Sequence, residues 1–286
     1  VSLNHEIVGI DSEPAERTWT ETDVLLYALA VGAGQPDPLA ELEFTTENSV
    51  GVRTQVLPTF GNLISSGGRG RRLGDFDPAS FVHAEQAFTL HRPLPAAGTA
   101  RSVSRVTGIY DKGAAALVVT ESTAVDAATR EPLVTTRSSI FIRGEGGFGG
   151  SRGPRQDWEM PSRAPDEQVT YHTRADQALL YRLTGDRNPL HSDPRFAARG
   201  GFSRPILHGM CTYGFTGRAL LHAVCGSEPS RFASMEGRFT RPVLPGDDLT
   251  ISIWSGGTSA GDVAYFRTTT SDGMPVLDRG LLTFTS

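Results

Sequence analysis

From His83 to Arg143 the chain falls into apolar–polar alternating runs about one strand long. HAEQAFTLHRPL, ARSVSRVTGIYD, AAALVVTESTAVD and PLVTTRSSIFIR are rich in β-branched and aromatic residues and are parted by turn residues, which predicts an antiparallel sheet. FASMEGRFTRPV, DDLTISIWSG, DVAYFRTTTSD and PVLDRGLLTF repeat that pattern to the end of the chain. Helical patterns precede each group. Residues 17–34, RTWTETDVLLYALAVGAG, carry a helix start at Thr20 or Thr22, acids in the first turn, and Gly32 and Gly34 at the end. DQALLYRLTG predicts a helix over Asp176–Gly185. A mostly apolar helix is predicted over Met210–Val224, with Met210, Tyr213, Ala219, Leu220 and Val224 facing inward. Leu57–Ser66 fits a helix or a strand, and the Ser65–Asp75 stretch, SSGGRGRRLGD, reads as a solvated loop.

The two groups are copies of each other. Glu85-Gln86-Ala87-Phe88-Thr89 echoes Glu236-Gly237-Arg238-Phe239-Thr240, Pro132 to Phe141 echoes Pro275 to Phe284, and Tyr27-Ala28-Leu29 echoes Tyr181-Arg182-Leu183. This predicts two α+β units, residues 1–143 and 166–286, each a helix on a curved antiparallel sheet. Residues 144–165 are rich in glycine, proline and charge and read as a linker.

Bulk composition narrows the function. With 286 residues and 38% hydrophobic content the chain can bury a sizeable core. A net charge of −5 argues against a general nucleic-acid binder. No run approaches the ~18 apolar residues of a membrane span. No secretory pattern opens the sequence and no SKL-type tripeptide closes it, so a cytoplasmic location is expected. Cys211 and Cys225 sit roughly 21 Å apart along one predicted helix, too far to bridge, and are expected to be free thiols.

The chemistry gathers between Tyr181 and Leu221. On a continuous helix Asp186 and His191 would point about 140° apart. Pro189, however, drives Asn188 out of helical geometry and lacks a backbone donor. The helix should therefore stop near Asp186, and the following turn can bring His191 back beside the carboxylate as an acid–base pair. Gly209 opens the next helix. Without a Cβ it lets a ligand approach free first-turn N–H groups and a positive dipole end, which suits a developing oxyanion. The first unit has Ala-Val-Gly-Ala-Gly-Gln-Pro-Asp-Pro where the second has Thr-Gly-Asp-Arg-Asn-Pro-Leu-His, so only the second carries the pair. A half without polar catalytic groups can offer apolar room for a ligand.

The run Y-x-L-T-G-D-x-N-P-L-H-x-D-P, followed by G-F-x-x-P-I-L-H-G-M, resembles the signature of the (R)-specific enoyl-CoA hydratases (hydratase 2, MaoC-like dehydratases). The whole chain is similar to their double-hot-dog form, as in the hydratase unit of peroxisomal multifunctional enzyme type 2 and in actinobacterial 3-hydroxyacyl-thioester dehydratases. The resemblance implies reversible hydration of trans-2-enoyl-CoA to the (3R)-3-hydroxyacyl thioester. Asp186 and His191 would then handle water and proton, Asn188 would hold the water or acyl group, and the Gly209 N–H would meet the enolate oxygen. It also implies substrate contacts from Arg187, Pro189 and Leu190 of the turn and from Phe239. Val82-His83-Ala84-Glu85-Gln86 matches an L-H-G-E-Q block and Asp111-Lys112-Gly113 a D-K-G turn, which implies CoA contacts from His83, Ala84 and Lys112. Ala84 stands where that block has glycine.

The expected partner is an acyl-CoA, with acyl carrier protein as the alternative carrier, and a homodimer is expected. No cofactor is expected beyond the CoA thioester, which is the substrate, and no metal. Asp186, His191, Asp193 and His208 could gather an ion, but nothing in their spacing fixes a ligand geometry. A hot-dog thioesterase and a non-catalytic acyl-thioester binding module are the rival functions.

Overall fold

The β-rich runs pair as their alternation predicts, and they pair across the repeat. The structure, a computed structural model, describes residues 3–35, 37–65, 72–77, 80–154, 158–258 and 261–285. Its strands are β1 (Ala15–Trp19), β2 (Phe81–Leu90), β3 (Gly98–Asp111), β4 (Ala115–Asp126), β5 (Pro132–Arg143), β6 (Glu167–His172), β7 (Phe232–Phe239), β8 (Asp248–Thr258), β9 (Gly261–Thr269) and β10 (Pro275–Phe284). They form one sheet in the order β1-β3-β4-β5-β2-β7-β10-β9-β8-β6. The order reads the same from either end once each strand is replaced by its repeat partner. At the centre β2 and β7 run antiparallel, with Gln86 opposite Gly237, Glu85 opposite Arg238 and Ala87 opposite Glu236. Gln86 and Gly237 are repeat equivalents, so a pseudo-twofold axis passes between them. The result is a double hot-dog.

Two edge strands differ from expectation. Arg17–Trp19 belong to β1, and helix α1 begins only at Glu21 and ends at Ala30. Thr20 caps it through a capping box in which the Asp23 carboxylate accepts from the Thr20 N–H at 2.7 Å. β6, next to the expected linker, was not anticipated at all. Both strands are short and sit at the margins, where alternation is too brief to read. Of the glycine–arginine loop, residues 66–71 lie outside the described residues; Arg72 pairs with Asp75 at 2.9 Å.

The two halves differ in the helix that their sheet wraps. In the second half α6 (Gly209–Ala223) is buried on every side from Cys211 to Leu221. Glycines permit that enclosure. A Cβ on Gly214 would lie 2.6 Å from Val31, and one on Gly217 2.4 Å from Thr59. In the first half the described part of the Leu57–Ser66 stretch, through Ser65, forms a 3₁₀ turn, Pro58–Phe60, and the single-turn helix α3 (Gly61–Ile64), with α2 (Leu42–Thr45) before it. No described helix is long and apolar enough to cross a membrane. Cys211 and Cys225 are buried free thiols.

A buried ion cluster binds the first half to α6. The Arg218 guanidinium, its side chain 2% exposed, meets Glu41 at 2.7 Å, donates to the Val31 carbonyl at 3.2 Å and lies 4.0 Å over the Tyr171 ring. His222 reaches the same carboxylate at 2.7 Å, and the Gly34 N–H donates to it at 3.0 Å. Burial alone would raise the Glu41 carboxyl, but hydrogen bonds from His222 and Arg218, with the guanidinium charge, hold it at about 2. Its stabilisation is therefore complete above the ordinary carboxylate value of about 4.3 and is lost as pH falls toward 2. Glu41→Gln leaves a buried guanidinium uncompensated. It should cost roughly 3–5 kcal/mol in urea melts at pH 7 and flatten the decline in stability between pH 4.5 and 2. A loss under 1 kcal/mol would contradict this role for the cluster.

Candidate active site

The turn that carries Asp186 and His191 forms where proline and glycine require it. Helix α4 (Gln177–Tyr181) tightens into a 3₁₀ turn, Arg182–Thr184, and stops at Gly185, whose φ of +134° few side chains could adopt. Arg17 of β1 donates to the Thr184 carbonyl at 3.2 Å and anchors this corner from the other half. Asn188 is extended (φ −56°, ψ 122°), as the following proline demands. A second 3₁₀ turn, Pro189–His191, then carries the imidazole inward, and α5 (Pro194–Arg199) follows, capped by Asp193.

This turn brings Asp186 and His191 together, with His208 as a third member. One ligand-type atom from each of the three lies within 4.8 Å of the other two. Asp186 is exposed, and its Oδ1 accepts the Asn188 N–H at 3.1 Å, which leaves Oδ2 unused by the turn. His191 is 8% exposed. Its Nδ1 lies 2.9 Å from the Ile206 carbonyl, which can only accept, so Nδ1 carries the proton and Nε2 keeps its lone pair. Burial lowers the His191 pKa, partly offset by the Ile206 hydrogen bond and the Asp186 charge. His191 is therefore neutral near pH 7 and able to accept a proton at Nε2.

His208 shapes this pair. Its ring stacks on His191 with centroids 3.8 Å apart and planes 28° from parallel. Its Nε2 donates to the Asp186 backbone carbonyl at 3.3 Å, and Tyr181 packs on it at 4.9 Å between centroids. Burial and the neighbouring His191 lower it to about 3. The stack also bears on metal binding. An imidazole lone pair lies in the ring plane, and two nearly parallel rings at stacking distance cannot aim both lone pairs at one ion. The three-residue cluster is better suited to proton transfer than to holding a metal. Asp193, the fourth residue of the metal alternative, spends its Oδ1 on the Arg195 and Phe196 N–H groups.

Free backbone N–H groups arrive from the first turn of α6. Cys211 and Thr212 N–H both donate to the His208 carbonyl. Gly209 and Met210, one position earlier, have no intrahelical acceptor available. The missing Cβ of Gly209 matters here, since an added one would come within 3.3 Å of the Phe239 ring.

The first half closes the site. His83 packs on Phe239 with ring centroids 4.7 Å apart, and the Asp186 charge is felt at its imidazole. Burial lowers His83 to about 4. Its Nε2 lies 3.1 Å from Ser138 Oγ and 3.2 Å from both Gln86 Oε1 and the Glu85 carbonyl. Gln86 in turn donates to Asn62 at 2.8 Å.

Among the residues singled out from sequence, Asp186, His191, Gly209, His83 and Phe239 thus converge. Asn188 is brought to the turn, but its Oδ1 is committed to the Leu190 N–H at 3.0 Å, so only its NH₂ remains for a ligand. Arg187 and Pro189 are exposed on the turn, and Leu190 packs near Gly200. Ala84 is buried at a register shift between β2 and β5. Lys112 does not touch this cluster; its ammonium donates to the Arg152 carbonyl at the β3–β4 turn. The stack of His208 on His191 was not expected, although a histidine beside the motif glycine was the available signal. Nothing local pointed to the Gln86–Asn62 support behind His83.

Residues 158–273 match a model of the MaoC like domain, and residues 18–144 match the MFE-2 hydratase 2 N-terminal domain. The chain is 44% identical to 3-hydroxyacyl-thioester dehydratase Y of Mycobacterium tuberculosis, over 99% of either chain. It is 38% identical to a peroxisomal enoyl-CoA hydratase 2 of Arabidopsis thaliana, covering 88% of this chain and 87% of that one. A crystal structure of a MaoC-like dehydratase from Phytophthora capsici superposes with a TM-score of 0.85 at 30% identity, over 98% of each chain.

The His191 geometry makes a prediction that needs no substrate. In an NMR titration its imidazole should change protonation below the ordinary histidine value of about 6.5. Asp186→Asn, which removes the nearby negative charge, should lower it further. A transition at or above 6.5 in the unaltered protein would contradict the buried, neutral assignment.

Proposed function

We propose that this chain, which belongs to the hydratase 2 family of MaoC-like dehydratases, catalyses the reversible hydration of trans-2-enoyl-CoA to (3R)-3-hydroxyacyl-CoA. It is a hydro-lyase of acyl-thioester metabolism. The observation that carries the reading is the meeting of Asp186, neutral His191 and the open first turn of α6. Hydration needs a base for the water, an acid for the α-carbon and donors for the thioester oxygen as it becomes an enolate. His191 Nε2 and the free Asp186 oxygen hold one water between them and pass its proton on. The Gly209 N–H, helped by the helix dipole, takes the oxygen charge. Asn188 contributes its NH₂ to the water or acyl group.

The same reading assigns the remaining contacts. His83 and Phe239 bound the thioester, with Ala84, Arg187, Pro189 and Leu190 around its mouth. Lys112 supplies positive charge for the CoA phosphates from the same sheet end as His83, three strands away. The unit before the linker binds substrate and the unit after it carries the chemistry. CoA is the carrier, with acyl carrier protein as the alternative. A homodimer and a cytoplasmic location complete the reading, the latter supported by two free cysteines. Thioesterase chemistry would require a nucleophile or water aimed at the carbonyl carbon, and no feature of the turn favours that over addition to the alkene.

Asp186→Asn keeps shape and removes basicity, and His191→Ala removes the imidazole. Each should lower kcat for trans-2-enoyl-CoA hydration on the order of 10²–10⁴-fold, the scale of a positioned acid or base. Because both act on one water, the double variant should lose far less than the product of the single losses. Near-normal turnover in either single variant, or a (3S) product from the unaltered protein, would contradict the reading.

A further inference from the structure

The inner face of the first half is lined unlike that of the second. In the second half the face against α6 is largely apolar, with Ile251, Ile253, Ala264, Phe266 and Leu282 buried there, and its Thr268 hydroxyl is paired with Thr216 of α6 at 2.8 Å. In the first half the residues of that face pair across strands as Ser104↔Ser122↔Thr136 and Val106↔Thr120↔Ser138. They share it with Ala124 and Val134, which pack in the main core, so the hydroxyls point to the helix side. α3 is one turn long and covers only part of this strip; its Ser65 reaches Thr136 at 3.0 Å. Apolar room alone was expected here. Instead a belt of hydroxyls crosses three strands.

The belt opens at the catalytic end. Ser138 Oγ touches His83 Nε2, and His83 touches Phe239, which lies against Gly209. On the far side lies a cavity of about 250 Å³. Apolar side chains, among them Ile7, Val106, Val118 and Ile140, line it together with the polar Ser12, Ser104, Arg105 and Thr120. Ile140 is the direct cross-strand partner of His83. Among the described residues the Thr120 hydroxyl has no hydrogen-bond partner of its own.

We propose that this cavity takes the distal part of the acyl group and selects one bearing a hydroxyl or keto oxygen, held by Thr120 with Ser104, whose hydroxyl is paired with that of Ser122 at 2.5 Å. The inference rests on the hydratase reading above. Apolar walls suit the methylenes next to the reacting carbons. Two strand spacings, roughly 10 Å, separate His83 from Thr120, which sets where along the acyl group the oxygen should lie. A site that offers a hydrogen bond to a substrate oxygen disfavours the analogue lacking it, because its own polar groups are then desolvated without a partner.

The test compares trans-2-decenoyl-CoA with its 10-hydroxy derivative in kcat/KM, and the saturated decanoyl- and 10-hydroxydecanoyl-CoA in calorimetric binding. The unaltered protein should prefer the hydroxylated member of each pair by about tenfold. Thr120→Val, which preserves shape and breaks no existing side-chain bond, should bring both ratios close to one while hydration of the plain substrate persists. Should that variant not fold, Ser104→Ala reads the same ratio. Equal treatment of both substrates by the unaltered protein, or a preference that survives Thr120→Val, would overturn the assignment. A binding preference without hydration of either enoyl thioester would instead sink the hydratase reading and leave the oxygen-selective cavity standing.

Discussion

The antiparallel pairing of β2 with β7 is the contact on which everything else depends. It joins two similar units into one sheet around Gln86 and Gly237. It also places β2 of the first unit against the catalytic end of the second. Without it His83 would not reach Phe239, and the Asp186–His191 turn would face solvent on one side. The site is thus assembled from both halves, although Asp186, His191 and His208 all come from the second. Arg17 on the Thr184 carbonyl and Glu41 on Arg218 tie the halves together at two more places.

Duplication freed one half to change. The second unit keeps the long buried helix that presents Gly209, and its inner sheet face is correspondingly largely apolar, its Thr268 hydroxyl being paired with Thr216 of that helix. The first unit keeps the sheet but has only a single-turn helix in the equivalent position. Where the second unit has its catalytic turn, the first has a segment that leads into Glu41, whose carboxylate is buried against α6. Glu41 adopts a left-handed backbone (φ 57°), uncommon for a residue with a side chain. That conformation is held by the ion pair, the His222 contact and the Gly34 N–H. A segment equivalent to the catalytic turn has become a structural clamp on the helix that serves chemistry.

Local constraints were legible in the sequence, and distant ones were not. Pro189 after Asn188 and glycine at 185 dictate a break and a turn from backbone sterics alone, so the return of His191 toward Asp186 could be argued from residues a few positions apart. The eight long strands announced themselves by alternation, and the repeat indicated how the halves would be related. β1 and β6 are too short for alternation to register. The Glu41–Arg218 pair joins residues far apart in sequence, and nothing in either neighbourhood marks it. The hydroxyls of β3, β4 and β5 were visible as every-other-residue serines and threonines. Which face they occupied depended on strand register, and that is why the first half was expected to be simply apolar. The stack of His208 on His191 follows from how α6 meets the turn, a tertiary fact.

In the proposed mechanism Asp186 and His191 act from one face on one water. Hydrating a trans-2-enoyl-CoA in D₂O and determining by NMR the relative configuration of the new C2 deuterium and C3 hydroxyl tests it most directly. Two groups on one turn require syn addition, with both atoms delivered to the same side of the alkene. An anti product, or a mixture of the two at early times, would place acid and base on opposite faces and contradict the account.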